Sequence, residues 1–365
     1  MINSLGFPLL LAALAAYCLT PLVKKLAMAV GAMDMPDARK VHKIPIPRLG
    51  GLAIYQAFVI AVLAGVPFSK NLSGILVGGT FIVLLGILDD IYQLPAKVKL
   101  LGQILCSLVL VVFGIRMEWI ANPFGMGDYI YFEYLSIPLT VFWVVAFTNV
   151  TNLIDGLDGL AAGVGAIASF TTGCLAAQAG YMETAMLSGA LFGAILGFIR
   201  YNFNPATIFM GDTGSMFIGY TLAAISLDGV VKTAASISLI VPAIVMGVPI
   251  LDTAFAIVRR YHNGRPIFQP DKGHIHHRLL ALGMNQKQAV LFVYGITAIL
   301  AVAAVLYAEL NGIYAAILIA VIMTTVVIGA RKIGIFNYNY EIHTESKVLQ
   351  LQLWNNNEEK KDNRK

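Results

Sequence analysis

Charge is what this chain has least of. Only 12% of its 365 residues are Asp, Glu, Lys or Arg and 58% are hydrophobic, whereas about 25% of a typical soluble domain is charged. That composition excludes a soluble globular protein. Cysteine is equally scarce: Cys18, Cys106 and Cys174 all lie inside apolar runs, without pairing or metal-ligand spacing, and read as packing residues. Sustained alternation of apolar and polar residues is missing, which argues against a β-barrel. A glycine-rich Lys-Ser/Thr loop is missing too, which argues against an ATP-driven pump. No basic residue precedes the first apolar run, 5 to 23, and no clear small-residue cleavage site follows it, so a retained span is expected there.

What is present is a series of apolar runs of about 17 to 22 residues, each able to cross roughly 30 Å of hydrocarbon as a helix. The expected fold is all-α, a polytopic integral membrane protein with about eleven transmembrane helices. They are placed at 4 to 23, 49 to 68, 72 to 88, 99 to 115, 136 to 152, 160 to 178, 184 to 200, 214 to 228, 233 to 252, 288 to 308 and 313 to 330. Of the 25 Lys and Arg, 22 fall on the side of the connections 24 to 48, 89 to 98, 253 to 287 and the tail; only Lys70, Arg116 and Lys232 fall on the other. By the positive-inside rule the first side is cytoplasmic, the amino terminus is outside and the carboxyl terminus is cytoplasmic. One transmembrane catalytic domain is expected over 1 to 335, and a polar tail over 336 to 365 whose end is disordered. Residues 116 to 135 are expected to form a small external hairpin. Gly189, Gly193 and Gly197 repeat every four positions in one span, which suits helix packing within the chain or a homodimer.

Four polar clusters interrupt this apolar chain, all at the cytoplasmic face. Asp89 and Asp90 end one span, where the negative helix end makes a cation partner desirable; Lys97 and Lys99 follow and could meet a phosphate. The stretch Asn149-Val-Thr-Asn152-Leu-Ile-Asp155-Gly-Leu-Asp158-Gly-Leu160 sets two acids and two amides among glycines that let a ligand approach the backbone. Asn202 to Ser215 brings Asp212 just before an apolar helix, a position suited to capping that helix or to a metal-phosphate site. The fourth cluster contains Arg265, His274, His276, His277 and Arg278, whose donors suit phosphate oxygens. A zinc site at His274-Ile275-His276-His277 is disfavoured by the neighbouring Arg and Lys and the lack of a nearby cysteine. Acids that hold a metal and cations that meet an anion, at one membrane face, suit phosphoryl transfer. A secondary transporter with a cation site is the reading from another class, but its carboxylates belong at mid-depth rather than at span ends. No nucleic-acid partner is expected.

Asp89-Asp90, Asn149 to Leu160, Phe209-Met210-Gly211-Asp212-Thr213-Gly214-Ser215 and His274-Ile275-His276-His277-Arg278, in that order, resemble the polyprenyl-phosphate N-acetylhexosamine-1-phosphate transferase superfamily. Within it the chain is similar to the UDP-N-acetylglucosamine branch, in particular to enzymes that begin wall teichoic acid linkage units. Ile275 interrupts the His-His-His row of the branch that uses UDP-MurNAc-pentapeptide. The resemblance implies ten or eleven helices in a bacterial plasma membrane, a cytoplasmic cleft, and Mg²⁺, for which Mn²⁺ can substitute. It implies attack of undecaprenyl phosphate on the β-phosphate of UDP-N-acetylglucosamine, releasing UMP. By position it implies that Asp212 binds metal, that Asp155 is catalytic and near the metal, and that Asp89 and Asp90 activate or position the lipid phosphate. It further implies that Asp158 and Asn202 contact uridine, Phe209 stacks on uracil, Lys97 binds phosphate, and the histidine loop binds phosphate or sugar. Asn149 and Asn152 are expected to line the same site, and Arg48, ahead of Gly50-Gly51, to contact phosphate. An attacking phosphate oxyanion is already charged near neutral pH, so alignment and charge neutralisation matter more than a strong base.

Overall fold

In the computed structural model, residues 2–36, 44–121, 129–232, 237–262, 264, 273–310 and 312–332 are described, and they form a helical bundle. Its helices are α1 (Ile2–Ala29), α2 (Gly50–Gly65), α3 (Lys70–Tyr92), α4 (Ala96–Phe113), α5 (Ser136–Ile154), α6 (Leu160–Gln178) and α7 (Met182–Asn202). Beyond these come α8 (Gly211–Lys232), α9 (Ile237–Val245), α10 (Gly247–His262), α11 (Ile275–Ala281), α12 (Gln286–Glu309) and α13 (Gly312–Lys332). Residues 265–272, Arg265 among them, and the tail from 333 onward lie outside the described residues.

The bundle is organised around α8. Its side chains from Thr213 to Leu227, including Met216, Phe217, Tyr220 and Leu222, are almost wholly buried, as a helix that is apolar all round must be. It packs against α2, α3, α5, α6, α7 and α9. Two glycines let neighbours reach its backbone: a Cβ on Gly51 of α2 would fall on Gly214, and one on Gly86 of α3 would fall on Thr213. Close approach at Gly86 brings the acids at the end of α3 to the start of α8. That contact sets the site.

Seven helices among the described residues are long and apolar enough to cross a membrane, against eleven expected runs, and the pair α9–α10 would make an eighth. The run at 49 to 68 yields only the 16 residues of α2, because Pro67 disfavours helix at Val66. The run at 233 to 252 is broken into α9 and α10, bent by 74°. Pro249 accounts for the break: its ring collides with the carbonyl four residues back, at Val245, and it has no N–H to offer there. Helix α10 then runs ten residues past the expected span end, to His262. Outward-facing Leu63, Leu105, Val112, Phe142 and Ile299 are exposed, a girdle suited to lipid and not to water.

The expected hairpin is present as β3 (Trp119–Ala121) against β4 (Tyr129–Tyr131), with Ile120 opposite Ile130; its tip, 122–128, is outside the described residues. A second short ribbon pairs β1 (Met33–Asp34) with β2 (Ile46–Pro47). The glycine stripe is used inside the chain: the backbone carbonyls of Leu9 and Ala13 on α1 sit where a Cβ of Gly193 or Gly197 would be.

Candidate active site

The β1–β2 ribbon leads directly into the site. Phe209 donates its N–H to Pro47 O (2.8 Å), while Gly50 and Gly51 donate to the carbonyls of Phe209 and Met210 (2.9 and 2.8 Å). This stitching holds Arg48 beside the first turn of α8. Arg48 donates through Nε and Nη2 to Asp90 Oδ1 (3.1 and 2.9 Å). Its guanidinium also lies 3.5 Å from Asp34 Oδ1 and 3.8 Å from Asp212 Oδ1.

Asp90 is fully committed. Oδ1 also accepts from the Asp212 N–H (2.9 Å), and Oδ2 accepts from the Thr213 N–H (3.0 Å) and hydroxyl (2.7 Å). It therefore satisfies two of the free N–H groups at the start of α8. The capping role open to Asp212 in the sequence belongs to Asp90, because Asp212 is already the second residue of the helix. Asp89 has a different set of partners: Oδ1 accepts from Leu94 N–H (2.8 Å), and Oδ2 pairs with Lys99 Nζ (2.7 Å), which also donates to Asp212 Oδ2.

The elbow that joins α5 to α6 supplies the opposite wall. Asp155 terminates α5, and its carboxylate makes no hydrogen bond among the described residues. Burial, reinforced by the charges of Asp212 and Asp90, raises its pKa well above the ordinary carboxylate value. Gly159, at φ +81°, begins α6 in a conformation that favours glycine. Asp158 Oδ2 accepts from Asn204 Nδ2 (2.9 Å) and the Ala206 N–H (3.0 Å). Asn202 bridges the same loops: Oδ1 accepts from Gly159 N–H and Nδ2 donates to Ile208 O, both at 3.1 Å.

Between the walls lies a cavity of about 500 Å³. Asp34, Arg48, Asp155, Asp158, Asn202, Asn204, Phe209, Asp212, His277 and Gln286 are among its lining residues. The three histidines behave differently. His277 reaches the cavity. His274 Nδ1 pairs with Asp252 Oδ2 (2.8 Å), whose other oxygen accepts from the Ile275 N–H (2.9 Å). His276 is buried with Nε2 against Gly156, and burial, then His277 and His274, holds its pKa well below the usual imidazole value. Arg278, also buried, donates Nε to Gly273 O (3.1 Å). Among the described residues no three His, Cys, Asp or Glu are placed to hold a metal by themselves.

Asp155, Asp158, Asp212, Arg48, Asn202, Phe209 and His277 are thus brought together around one space, with Asp89 and Asp90 behind the metal-binding candidate Asp212. Asn149 and Asn152 are placed elsewhere. Asn149 exchanges hydrogen bonds with Gln103 and donates to Val145 O, and Asn152 donates to Ser215 Oγ, so both tie α5 to its neighbours. Lys97 is exposed, and Lys99 occupies the acidic cluster in its place. Asp34, Asp252 and Gln286 were absent from the expected set. The available signals were an acid inside an apolar run, for Asp252, and an acid in the connection that follows the first span, for Asp34; Gln286 carried none.

A bundle of apolar helices with acids, cations and a polar cavity gathered at one end defines the class, a multi-pass membrane protein with its site at the ends of its spans. Residues 72–230 match glycosyl transferase family 4. The chain is 42% identical over 328 residues, 90% of its length and 91% of the relative's, to a Bacillus subtilis (strain 168) protein called "Probable undecaprenyl-phosphate N-acetylglucosaminyl 1-phosphate transferase". It is 40% identical over 315 residues to the decaprenyl-phosphate N-acetylglucosaminephosphotransferase of Mycobacterium tuberculosis (strain ATCC 25618 / H37Rv), covering 78% of each chain. It is 30% identical over 288 residues to the undecaprenyl-phosphate alpha-N-acetylglucosaminyl 1-phosphate transferase of Escherichia coli (strain K12), covering 76% of this chain and 77% of the relative. The chain belongs to this family of polyprenyl-phosphate N-acetylglucosamine-1-phosphate transferases.

Proposed function

We propose that this protein transfers N-acetylglucosamine-1-phosphate from UDP-N-acetylglucosamine to undecaprenyl phosphate at the cytoplasmic face of a bacterial plasma membrane. The products are undecaprenyl-diphospho-N-acetylglucosamine and UMP, and the step opens synthesis of a cell-wall polymer, teichoic acid. One observation carries the reading within this family. Four carboxylates, Asp89, Asp90, Asp155 and Asp212, gather at one cavity, which Asp155 and Asp212 line, and among the described residues Arg48 and Lys99 are the cations paired with this group. An anionic diphosphate donor cannot enter such a space unless further positive charge comes with it.

The residues fit Mg²⁺. The donor set is carboxylate oxygen, and Mg²⁺ is commonly held by one or two carboxylates together with substrate phosphates, so a complete protein cage is not needed. Asp212 and Asp155 are the residues that would hold it, since both line the cavity. Bound there, the ion would neutralise charge on the diphosphate. Arg48, between Asp90 and Asp212, and Lys99, between Asp89 and Asp212, would meet phosphate oxygens from the protein side. A lipid-phosphate oxygen attacks the β-phosphorus, a new P–O bond forms, and the β-phosphorus bond to the bridging oxygen breaks with UMP leaving. No proton needs to be removed from the nucleophile, which fits a single displacement aligned by the site.

The test is UMP release from purified protein with polyprenyl phosphate, Mg²⁺ and a panel of UDP-sugars. Release with UDP-N-acetylglucosamine is expected. Release with UDP-MurNAc-pentapeptide alone would move the protein to the other branch, and no release from any donor would sink the enzyme reading.

A further inference from the structure

The carboxylate of Asp155 has no hydrogen bond among the described residues, so its place at the cavity depends on the backbone that carries it. That backbone is a short elbow. The Asp155 N–H closes α5 on Asn152 O (3.2 Å), the Gly156 N–H turns back to Ile154 O (2.8 Å), and the Leu160 N–H bonds Leu157 O (2.9 Å). All three bonds are local, so the elbow is anchored to the bundle by other groups. Leu157 is buried in the core. Asn202 Oδ1 accepts from the Gly159 N–H (3.1 Å), and the Tyr294 hydroxyl, on α12, donates to the Gly159 carbonyl. His276 of α11 fills the space beside Gly156, where a Cβ would fall on its Nε2.

Tyr294 reaches that carbonyl because a second glycine makes room. A Cβ on Gly163 would fall on the Tyr294 ring and its oxygen, so the first turn of α6 is bare where the phenol crosses it. The phenol is half-buried and is not among the residues that line the cavity. The carbonyl it meets already accepts the first bond of α6, from the Gly163 N–H (2.9 Å). The hydroxyl is therefore not needed to satisfy that group, and its effect is to fix where α6 begins relative to α12. Resting on the transferase reading above, we propose that Tyr294 is a positioning residue, which clamps the end of the elbow through Gly159 O and so holds Asp155 in reach of the reacting phosphates. Asp158, three residues on, has anchors of its own in Asn204 Nδ2 (2.9 Å) and the Ala206 N–H (3.0 Å). Asp155 has none, so a loosened elbow misplaces Asp155 first. A displacement of about 1 Å at a reacting centre costs on the order of 10²-fold in rate.

The experiment compares wild type, Tyr294→Phe, Gly163→Ala and the double variant as full chains in detergent, by UMP release, UMP binding, thermal melting and amide hydrogen exchange. Tyr294→Phe keeps the ring and leaves Gly159 O its helical partner, so melting should shift by no more than about 2 °C. Its kcat should fall by about tenfold or more, with the donor KM and UMP affinity within about threefold of wild type. Exchange of the amides from 155 to 163 should quicken by about fivefold or more, and exchange elsewhere should not change. Gly163→Ala pushes the phenol aside and should lower kcat in the same way. The double variant should be about as active as Tyr294→Phe alone; multiplied losses would show two separate contacts and overturn the proposal. Unchanged exchange over 155 to 163 in Tyr294→Phe overturns the clamp whatever the activity. Faster exchange with unchanged kcat overturns its part in the reaction, and so does a loss confined to KM or UMP affinity, which would make Tyr294 a donor contact. Lower melting with full turnover per folded molecule overturns it too, since the bond would then be structural only. A wild type that releases no UMP from any UDP-sugar sinks the transferase reading instead, and the exchange data then decide the clamp by themselves.

Discussion

Asp90 accepts five hydrogen bonds, whereas the Asp155 carboxylate accepts none among the described residues. Identical functional groups therefore carry different burdens. Asp155→Asn should reduce UMP release by about 10³-fold or more, as loss of a central charged group does, with melting unchanged or raised because a crowded charge is removed. Asp90→Asn should lower the melting temperature as well as activity, since an amide turns one acceptor into a donor facing buried N–H groups, at a cost of about 1–3 kcal/mol. Melting curves for both variants beside turnover separate the roles; equal melting would show that Asp90 is not holding α8. His276 makes a pH prediction. Its folded pKa is depressed by burial and by the neighbouring His277 and His274, so below about pH 6.5 the unfolded imidazole binds protons that the folded one does not. The His276 contribution should be flat above that pH and decline below it, while Asp155, whose pKa is raised, contributes the opposite slope. The difference between wild type and His276→Gln in melts taken across the range isolates the histidine. Wild type should lose stability relative to the variant as pH falls below about 6.5.

At the scale of elements, the site depends on how closely α2 and α3 approach α8. A methyl group at Gly51 would meet α8 backbone at Gly214, and backbone cannot rotate aside. Gly51→Ala should cost about 1–3 kcal/mol, lower the melting temperature by several degrees, and reduce turnover by misplacing Asp212. Gly295→Ala on α12 meets nothing within 4 Å and should be neutral or stabilising. Thermal shift and UMP release on the two variants make the comparison. Elements of this kind were largely legible: long apolar runs become helices because backbone groups in hydrocarbon must bond internally. The elbow at 155–159 was legible because acids and glycines are conspicuous in an apolar chain. The break at Pro249 was a local signal hidden inside a continuous apolar run. Lys99 could not be separated from Lys97 before the turn at Leu94-Pro95 fixed the phase of α4, and Asn149 and Asn152 offered polarity without revealing that Gln103 and Ser215 would consume it. Gln286 was out of reach for a different reason, since its partner Asn204 is 82 residues away and nothing local announces such a contact.

For the molecule as a whole, the decisive quantity is charge at one end of an apolar bundle. The acids of the site lie at the end of α3, in the α5–α6 elbow and at the start of α8, where an aqueous donor and a lipid-borne acceptor can both arrive. A transporter needs such groups at mid-depth, between alternately open halves. The chain's net charge of +5 does not help a phosphate at this point, because the balance among the described residues of the site is negative. A divalent ion arriving with the donor reverses that balance, so activity should depend on it more steeply than folding does. Chelation with EDTA should abolish UMP release and leave the melting temperature of the protein nearly unchanged, and Mg²⁺ or Mn²⁺ should restore turnover. Asp212→Asn should raise the Mg²⁺ concentration needed for half-maximal UMP release by about tenfold or more, reflecting a lost charged ligand. Full activity in EDTA would mean that Arg48 and Lys99 suffice against four carboxylates, and the charge argument for the metal would fail with it.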